Sequence, residues 1–302
     1  IAVIAGGGSA LLCAPAGELS VEDIQAVTNE LLSAGASIEE INTVRRACSR
    51  IKGGGLVAAA TPATVVGVLV SDVVGDDLSV IASGPTVPTA SDPAAALDVL
   101  DRYNLEVPSV REWLGATDPT PPPTADVDNH VIASGRDAID AAEQVAIDRG
   151  YATCVLSTRI AGEAAAAGRF HAAIAAEMAA SGDPIEPPAV VFSGGETTVR
   201  VTGDGTGGPN QEFALAAASE LPASAVLAAV DTDGSDGSTD AAGALVDGRT
   251  IGDSTAARAA LADNDSYGFF DKRGLLLQTG ATGTNVNDLR VLVVSSAVDE
   301  AG

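Results

Sequence analysis

The sequence predicts an α/β protein whose domains are layers of helices on largely parallel sheet. Three observations carry that reading. Apolar, strand-like runs alternate with helical segments along most of the chain. The run "TVVGVLV" (64–70) is continuously apolar, as buried parallel strands are. The connections are glycine-rich and polar, the chemistry that α/β folds place at the carboxyl ends of their strands. A length of 302 residues fits two domains of roughly 100–200 residues each. The proline-bearing "GDPIEPP" (182–188) is the best linker, so the first domain is read as 1–186 and the second as 187–302.

Taken in order, "IAVIA" (1–5) is a strand that runs into "GGGSALL" (6–12), a glycine turn opening a helix. "SVEDIQAVTNELLSAG" (20–35) and "SIEEINTVRRACSRI" (37–51) are helices, each announced by a serine with an acidic residue three positions on, the capping-box pattern. "KGGG" (52–55) ends the second of them. After strand 64–70 comes the long loop "SDVVGDDLSVIASGPT" (71–86), a helix near 92–102 and the proline-rich "DPTPPPT" (118–124). "HVIASG" (130–135), a helix at 136–149, "ATCVLS" (152–157) and an alanine-rich helix at 161–181 continue the alternation. Beyond the linker, "AVVFSGGETTVRVTGDG" (189–205) reads as a strand, a tight Gly-Gly turn and a second strand. A helix at 210–220, a strand at 225–230, a mostly helical stretch to about 273 and "LLLQTGATGTNVNDLRVLVV" (275–294) complete the chain, with no internal repeat.

Composition narrows the function. Net charge is −25, from 41 acidic and 16 basic residues, and only Lys52 and Lys272 are lysines. Such a surface repels nucleic acid and anionic membrane and stays hydrated in concentrated salt, so a halophile's protein is expected. Three scattered cysteines (Cys13, Cys48, Cys154) form neither a disulfide frame nor a zinc pattern, which points to the cytosol. No run approaches the length of about 20 apolar residues that spans a membrane. The sequence allows a homodimer without specifying one.

The densest motif is "DTDGSDGSTD" (231–240), directly after the apolar strand 225–230. Counted from Asp231, an EF-hand loop would need glycine at Asp236 and glutamate at Ala242, so calcium binding of that kind is excluded. Asp231, Asp233, Asp236 and Asp240 could hold Mg²⁺ through water or take a proton from a hydroxyl; alternatively Asp240 caps a following helix and the others are solvated. "GGGSALL" lacks both the GxGxxG spacing and the P-loop lysine, yet its glycines permit a phosphate to approach the backbone. In a chain so poor in cations, Arg45, Arg46, Arg50 and Lys52 stand out. They fit an anionic substrate or phosphate, or else the carboxyl end of their own helix. His130 and His171 have no partner at useful spacing, so no Ser-His-Asp triad is expected. Many glycine-rich polar loops without acyl-transfer machinery suit phosphoryl transfer.

Together "INTVRR…IKGG", "SDVVGDDLSVIASGPT", "SGGETTV", "GGPNQEFALA", "DGSDGSTDAAGA" and "TGTNVNDL" resemble the glycerate 2-kinase family, whose C-terminal part is the MOFRL domain. The resemblance runs over nearly the whole chain in the family's order. It implies ATP- and Mg²⁺-dependent phosphorylation of D-glycerate in the cytosol, a Rossmann-like first domain and a smaller α/β second domain with a cleft between them. On this reading Arg45 and Lys52 hold the glycerate carboxylate or the transferring phosphate, and Asp233 or Asp236 is base or metal ligand. Gly7, Gly8 and Ser9 belong to the ATP site with Thr282, Gly283, Thr284 and Asn285, and Ser193, Gly194, Glu196 and Asn210 are further nucleotide contacts. Asp72, Asp233 and Asp240 are the metal candidates. The family pattern differs at two places: many relatives have arginine where this chain has Pro209, and they carry an upstream Gly-Lys-Ala segment, whose phosphate-facing lysine the chain is expected to lack. The alternatives are an NAD(P)H-dependent hydroxypyruvate reductase and a non-catalytic nucleotide-binding protein.

Overall fold

The computed structural model describes residues 1–251 and 254–296. Contacts divide the chain into two units, Ile1–Ile132 and Ala133–Gly302.

In the first unit the expected βα start is present as β1 (Ala2–Ile4) and the single turn α1 (Gly8–Leu11). Both serine caps form. Ser20 opens α2 (Val21–Ser33): its hydroxyl accepts the Asp23 amide at 3.0 Å, and the Asp23 carboxylate accepts the Ser20 amide at 2.8 Å. Ser37 and Glu40 repeat the box at α3 (Ile38–Ala47). Each such cap stabilises its helix by about 1 kcal/mol. After α4 (Gly55–Ala60) and β2 (Val65–Val70), a 3₁₀ turn covers Ile81–Ser83, and α5 (Pro93–Arg102), α6 (Pro108–Ala116) and β3 (Val127–Ala133) follow. The sheet order is β1-β2-β3, with β1 and β2 parallel and Ile4 level with Leu69. One apolar cluster, including Val27, Leu31, Val44, Leu100 and Val110, packs α2, α3, α5 and α6 together.

The second unit contains α7 (Gly135–Asp148), β4 (Ala152–Glu163), α8 (Ala164–Ser181), β5 (Ala189–Thr198), α9 (Pro209–Ala218), β6 (Ala225–Asp231), β7 (Gly243–Asp247), α10 (Ser254–Ala262), α11 (Ser266–Asp271), β8 (Leu276–Leu277) and β9 (Asp288–Val294). Its sheet runs β4-β5-β9-β6-β7-β8. β4 and β5 are parallel, and β9 is antiparallel to both β5 and β6. The boundary expected at 186/187 falls inside this unit, because β4 on one side of it pairs with β5 on the other. From Asn210 to Ala218, α9 is buried at every residue, sheathed by alanine-rich α8 and by β6 and β7.

Two sequence expectations are corrected. Residues 189–205 form no hairpin, since β5 continues through Gly194 and Gly195 as one strand. Those glycines admit neighbouring backbone instead of turning the chain. A Cβ on Gly195 would lie 2.2 Å from the Ile160 carbonyl oxygen, and one on Gly194 3.1 Å from that of Asp288. The stretch after 231 is not mostly helical either. "GALVD" pairs along β6 as β7, and a strand follows Asp240 where a helix was considered.

Candidate active site

Because β1 and β2 run parallel in register, residues 6–9 and residues 71–72 leave the first sheet at the same, carboxyl edge. Three side chains converge there on Ser9. Lys52 Nζ donates to the Ser9 carbonyl at 2.8 Å, and Arg45 Nη1 donates to Ser9 Oγ at 2.9 Å while its Nη2 reaches the same carbonyl. Ser9 Oγ also meets Ser83 Oγ at 2.8 Å, and Ser83 donates to Asn42 Oδ1 at 3.0 Å. Lys52 is 5% exposed, and burial, with Arg45 beside it, lowers its pKa to about 8. It lies beyond the last turn of α3 and points to the glycine loop, so serving the helix end does not explain it. Arg45 is pulled down from its usual value by burial as well. Arg50 is turned away, its Nε donating to the Pro15 carbonyl.

Ser83 is a member of this cluster that sequence reasoning did not single out. Ala82 and Ser83 both have positive φ (50° and 64°), costly for residues with a Cβ. Their strain is held by the glycines after Lys52: Gly53 N donates to Ser83 O at 3.0 Å, and Gly54 N to Gly84 O at 2.8 Å. No periodicity in the sequence could reveal that. Asp72 is half-buried on the loop following β2.

In the second unit the carboxyl ends of β5 and β6 lie side by side, with the start of β9 between them. Asp288 is the cross-strand partner of both Gly195 and Asp231. The aspartate loop and the 279–287 loop are stitched together at this end. Thr232 donates to the Asn287 carbonyl at 2.8 Å and accepts the Val286 amide at 2.8 Å, and Thr282 Oγ1 donates to the Thr232 carbonyl at 2.6 Å. Gly234 lets them touch, since a Cβ there would stand 2.1 Å from the Gly280 carbonyl oxygen. The structure therefore brings Thr282, the first of the expected residues 282–285, onto the aspartate motif.

Within that motif the aspartates have separate tasks. Asp231 is half-buried, with Oδ1 accepting the Asp233 amide at 3.0 Å. Burial, reinforced by the carboxylates of Asp233, Asp288 and Asp236, lifts its pKa to about 7. Asp233 accepts the Ser235 amide at 2.7 Å. Asp236 is 1% exposed, and its oxygens accept the amides of Asn210 and Gln211 at 2.9 and 2.8 Å. It is the anchor of α9, whose own N-cap, Gly208, has no side chain to offer. Burial also lifts the pKa of Asp236 to about 6, so the carboxylate expected as base or metal ligand is at the same time the cap of a helix. Pro209 occupies the first turn of the same helix, where a fixed φ and a missing N–H cost nothing.

Other expected residues are also placed elsewhere. Asp240 accepts the Tyr267 hydroxyl at 2.7 Å. Ser193 is buried, its Oγ 2.8 Å from His171 Nε2, so its hydroxyl is not available to a nucleotide. His171, pushed down to about 4 by burial, also contacts the Ala167 carbonyl through Nδ1 and is a core residue. Gly194 is interior to β5, Glu196 is exposed near its end, and the Asn210 side chain is buried between Asp236 and Asp288. Among the described residues, no three His, Cys, Asp or Glu side chains are arranged to hold a metal. The half-buried Asp231 and Asp233 fit Mg²⁺ that arrives with phosphate oxygens of its own, which needs only one or two protein carboxylates. They do not make a cage for a bare ion.

The sequence matches a domain of unknown function, DUF4147, over residues 1–115 and the MOFRL family over residues 189–288. It is 44% identical over 294 residues to the D-glycerate 2-kinase of Thermotoga maritima, covering 95% of this chain and 70% of that protein. It is 42% identical to a putative hydroxypyruvate reductase of Agrobacterium vitis, covering 97% of this chain and 69% of that protein. The crystal structure of glycerate kinase from Thermotoga maritima superposes with a TM-score of 0.90 at 43% identity, over 97% of this chain and 72% of that one.

Proposed function

This chain belongs to the glycerate 2-kinase family, and from that premise we propose that it phosphorylates D-glycerate at the 2-hydroxyl with MgATP as donor. The hydroxyl oxygen forms a bond to the γ-phosphorus, the bond from that phosphorus to the β-bridging oxygen breaks, and the hydroxyl proton passes to a carboxylate. The observation that carries the assignment of roles is the pairing of Lys52 and Arg45 on one backbone atom, Ser9 O, in a chain with 16 basic residues. Two cations converging at a strand's carboxyl edge favour a small polyanion. In this proposal they hold the glycerate carboxylate or the transferring phosphoryl group, with residues 7–9 offering backbone N–H groups. Asp231 and Asp233 hold Mg²⁺ with the nucleotide or receive the proton, and Asp231, poised near neutrality, suits the proton. Bound Mg²⁺ neutralises charge on the β- and γ-phosphates. Asp72 and Glu196 are further candidate contacts.

The cytosolic setting and a substrate list without nucleic acid or membrane belong to the same proposal. Among the described residues no helix is long and apolar enough to cross a membrane. A coupled ADP-release assay with D-glycerate and MgATP tests the kinase, and NADH loss with hydroxypyruvate tests the reductase.

A net charge of −25 also supports adaptation to concentrated salt. Self-repulsion should be strongest in dilute buffer and screened as salt rises. The melting midpoint is accordingly expected to climb with KCl, and a flat or falling midpoint would remove the halophile reading.

A further inference from the structure

The proposed reaction makes no use of a buried guanidinium on β9. Arg290 is 1% exposed. Its Nη2 donates to Thr197 Oγ1 at 2.9 Å and to the Asp288 carboxylate, and its Cζ stands 4.7 Å from the centre of the Phe213 ring. Nε and Nη1 have no hydrogen-bond partner. A buried ion pair with unpaired N–H groups is poor value for stability, because an apolar side chain of similar volume fills such a place as well or better. What the guanidinium does supply is geometry.

Arg290 and the Thr197 amide, at 3.1 Å, fix Asp288 Oδ2, while Asp288 Oδ1 accepts the Asn210 side-chain amide at 2.6 Å. That amide donates again, at 3.3 Å, to Asp236 Oδ1. Asp236 in turn takes the first amides of α9 and so ties the aspartate loop to that helix. Asp288 is also level with Asp231 across the β6–β9 pair. One continuous set of hydrogen bonds thus joins the end of β5, the start of β9, the start of α9 and residues 231–236. Arg290 is the only cation among the hydrogen-bonded members named here.

We propose that Arg290 is a positioning residue: through Asp288 and Asn210 it fixes the 231–240 loop in the arrangement that receives the magnesium-nucleotide, without touching the nucleotide. The inference rests on the reading of that loop given under Proposed function. Arg290→Lys keeps a positive charge but loses the planar guanidinium, whose Nη2 donates to both Asp288 and Thr197 and whose Cζ stands over the Phe213 ring. Thr197→Val removes one hydroxyl and no charge, so it serves even if the lysine variant folds poorly. In both, amide hydrogen exchange over 210–212 and 231–240 should quicken while the β5–β9–β6 ladder stays protected. KM for MgATP should rise about 10-fold in the lysine variant, the scale of losing an outer-shell partner, with KM for glycerate unchanged. Wild-type exchange in the aspartate loop of both variants, or an equal rise in both KM values, overturns the positioning role. Faster loop exchange with an unaltered nucleotide KM upholds the positioning and overturns the assignment of the loop to the nucleotide.

Discussion

Lys52→Met is expected to lower kcat/KM for D-glycerate by about 10²–10³-fold, the cost of removing one preorganised charge-stabilising donor, without lowering the melting temperature. The two halves of that expectation have one cause. Lys52 is almost wholly buried, and its pKa falls to about 8 because burial penalises the ammonium and Arg45 repels it. The folded state therefore binds this proton less tightly than the unfolded state. Holding the charge opposes folding below the folded pKa, and that penalty fades as pH rises from about 8 toward the ordinary lysine value. Removing the charge relieves the penalty, at the loss of one hydrogen bond to Ser9 O. The same shift sets the pH dependence: as pH rises through about 8 the ammonium is lost, so KM for glycerate should climb there in the wild type. The methionine variant should lack that limb. Steady-state kinetics from pH 6 to 10, with melting curves at each pH, check both. Wild-type kinetics in the variant would return Lys52 to a structural role.

Asp236→Ala is expected to destabilise the second unit by about 3 kcal/mol or more, since each buried donor left unpaired costs about 1–3 kcal/mol. Two backbone donors lose their acceptor together, the amides of Asn210 and Gln211, and the Asn210 side-chain amide keeps only its bond to Asp288. Water cannot easily replace it, because α9 is buried along its length from Asn210. Asp233→Ala is the contrast. Its carboxylate bonds the amide of exposed Ser235, so its removal should change the urea midpoint little while reducing turnover. A midpoint for Asp236→Ala equal to the wild type would show that α9 finds another cap.

These two residues also mark what the sequence made legible. Arg45 and Lys52 stood out because cations are scarce, and their chain separation across the end of a predicted helix allowed convergence. The capping boxes at Ser20 and Ser37 were readable because both partners are local. Asp236 could not be separated from Asp231 and Asp233 by composition, since its partners lie 25 and 26 residues away on α9. The burial of Ser193 is illegible for a similar reason: its partner His171 lies on α8, a separation no local motif encodes. Gly194 and Gly195 are ambiguous in sequence because a glycine pair signals either a reversal or close backbone packing. Only the neighbours Ile160 and Asp288 decide which. Likewise β7 was hidden because "GALVD" is short and is made a strand by pairing with β6.

The most direct test of the central claim is the product. The protein, incubated with D-glycerate, MgATP and concentrated KCl, should yield ADP and 2-phosphoglycerate in equal amounts, identified by ³¹P NMR from the coupling of phosphorus to the C2 proton. Phosphorus coupled to the C3 protons would contradict the assigned hydroxyl. No phosphorylated glycerate at all, with NADH consumed on addition of hydroxypyruvate, would contradict the kinase itself.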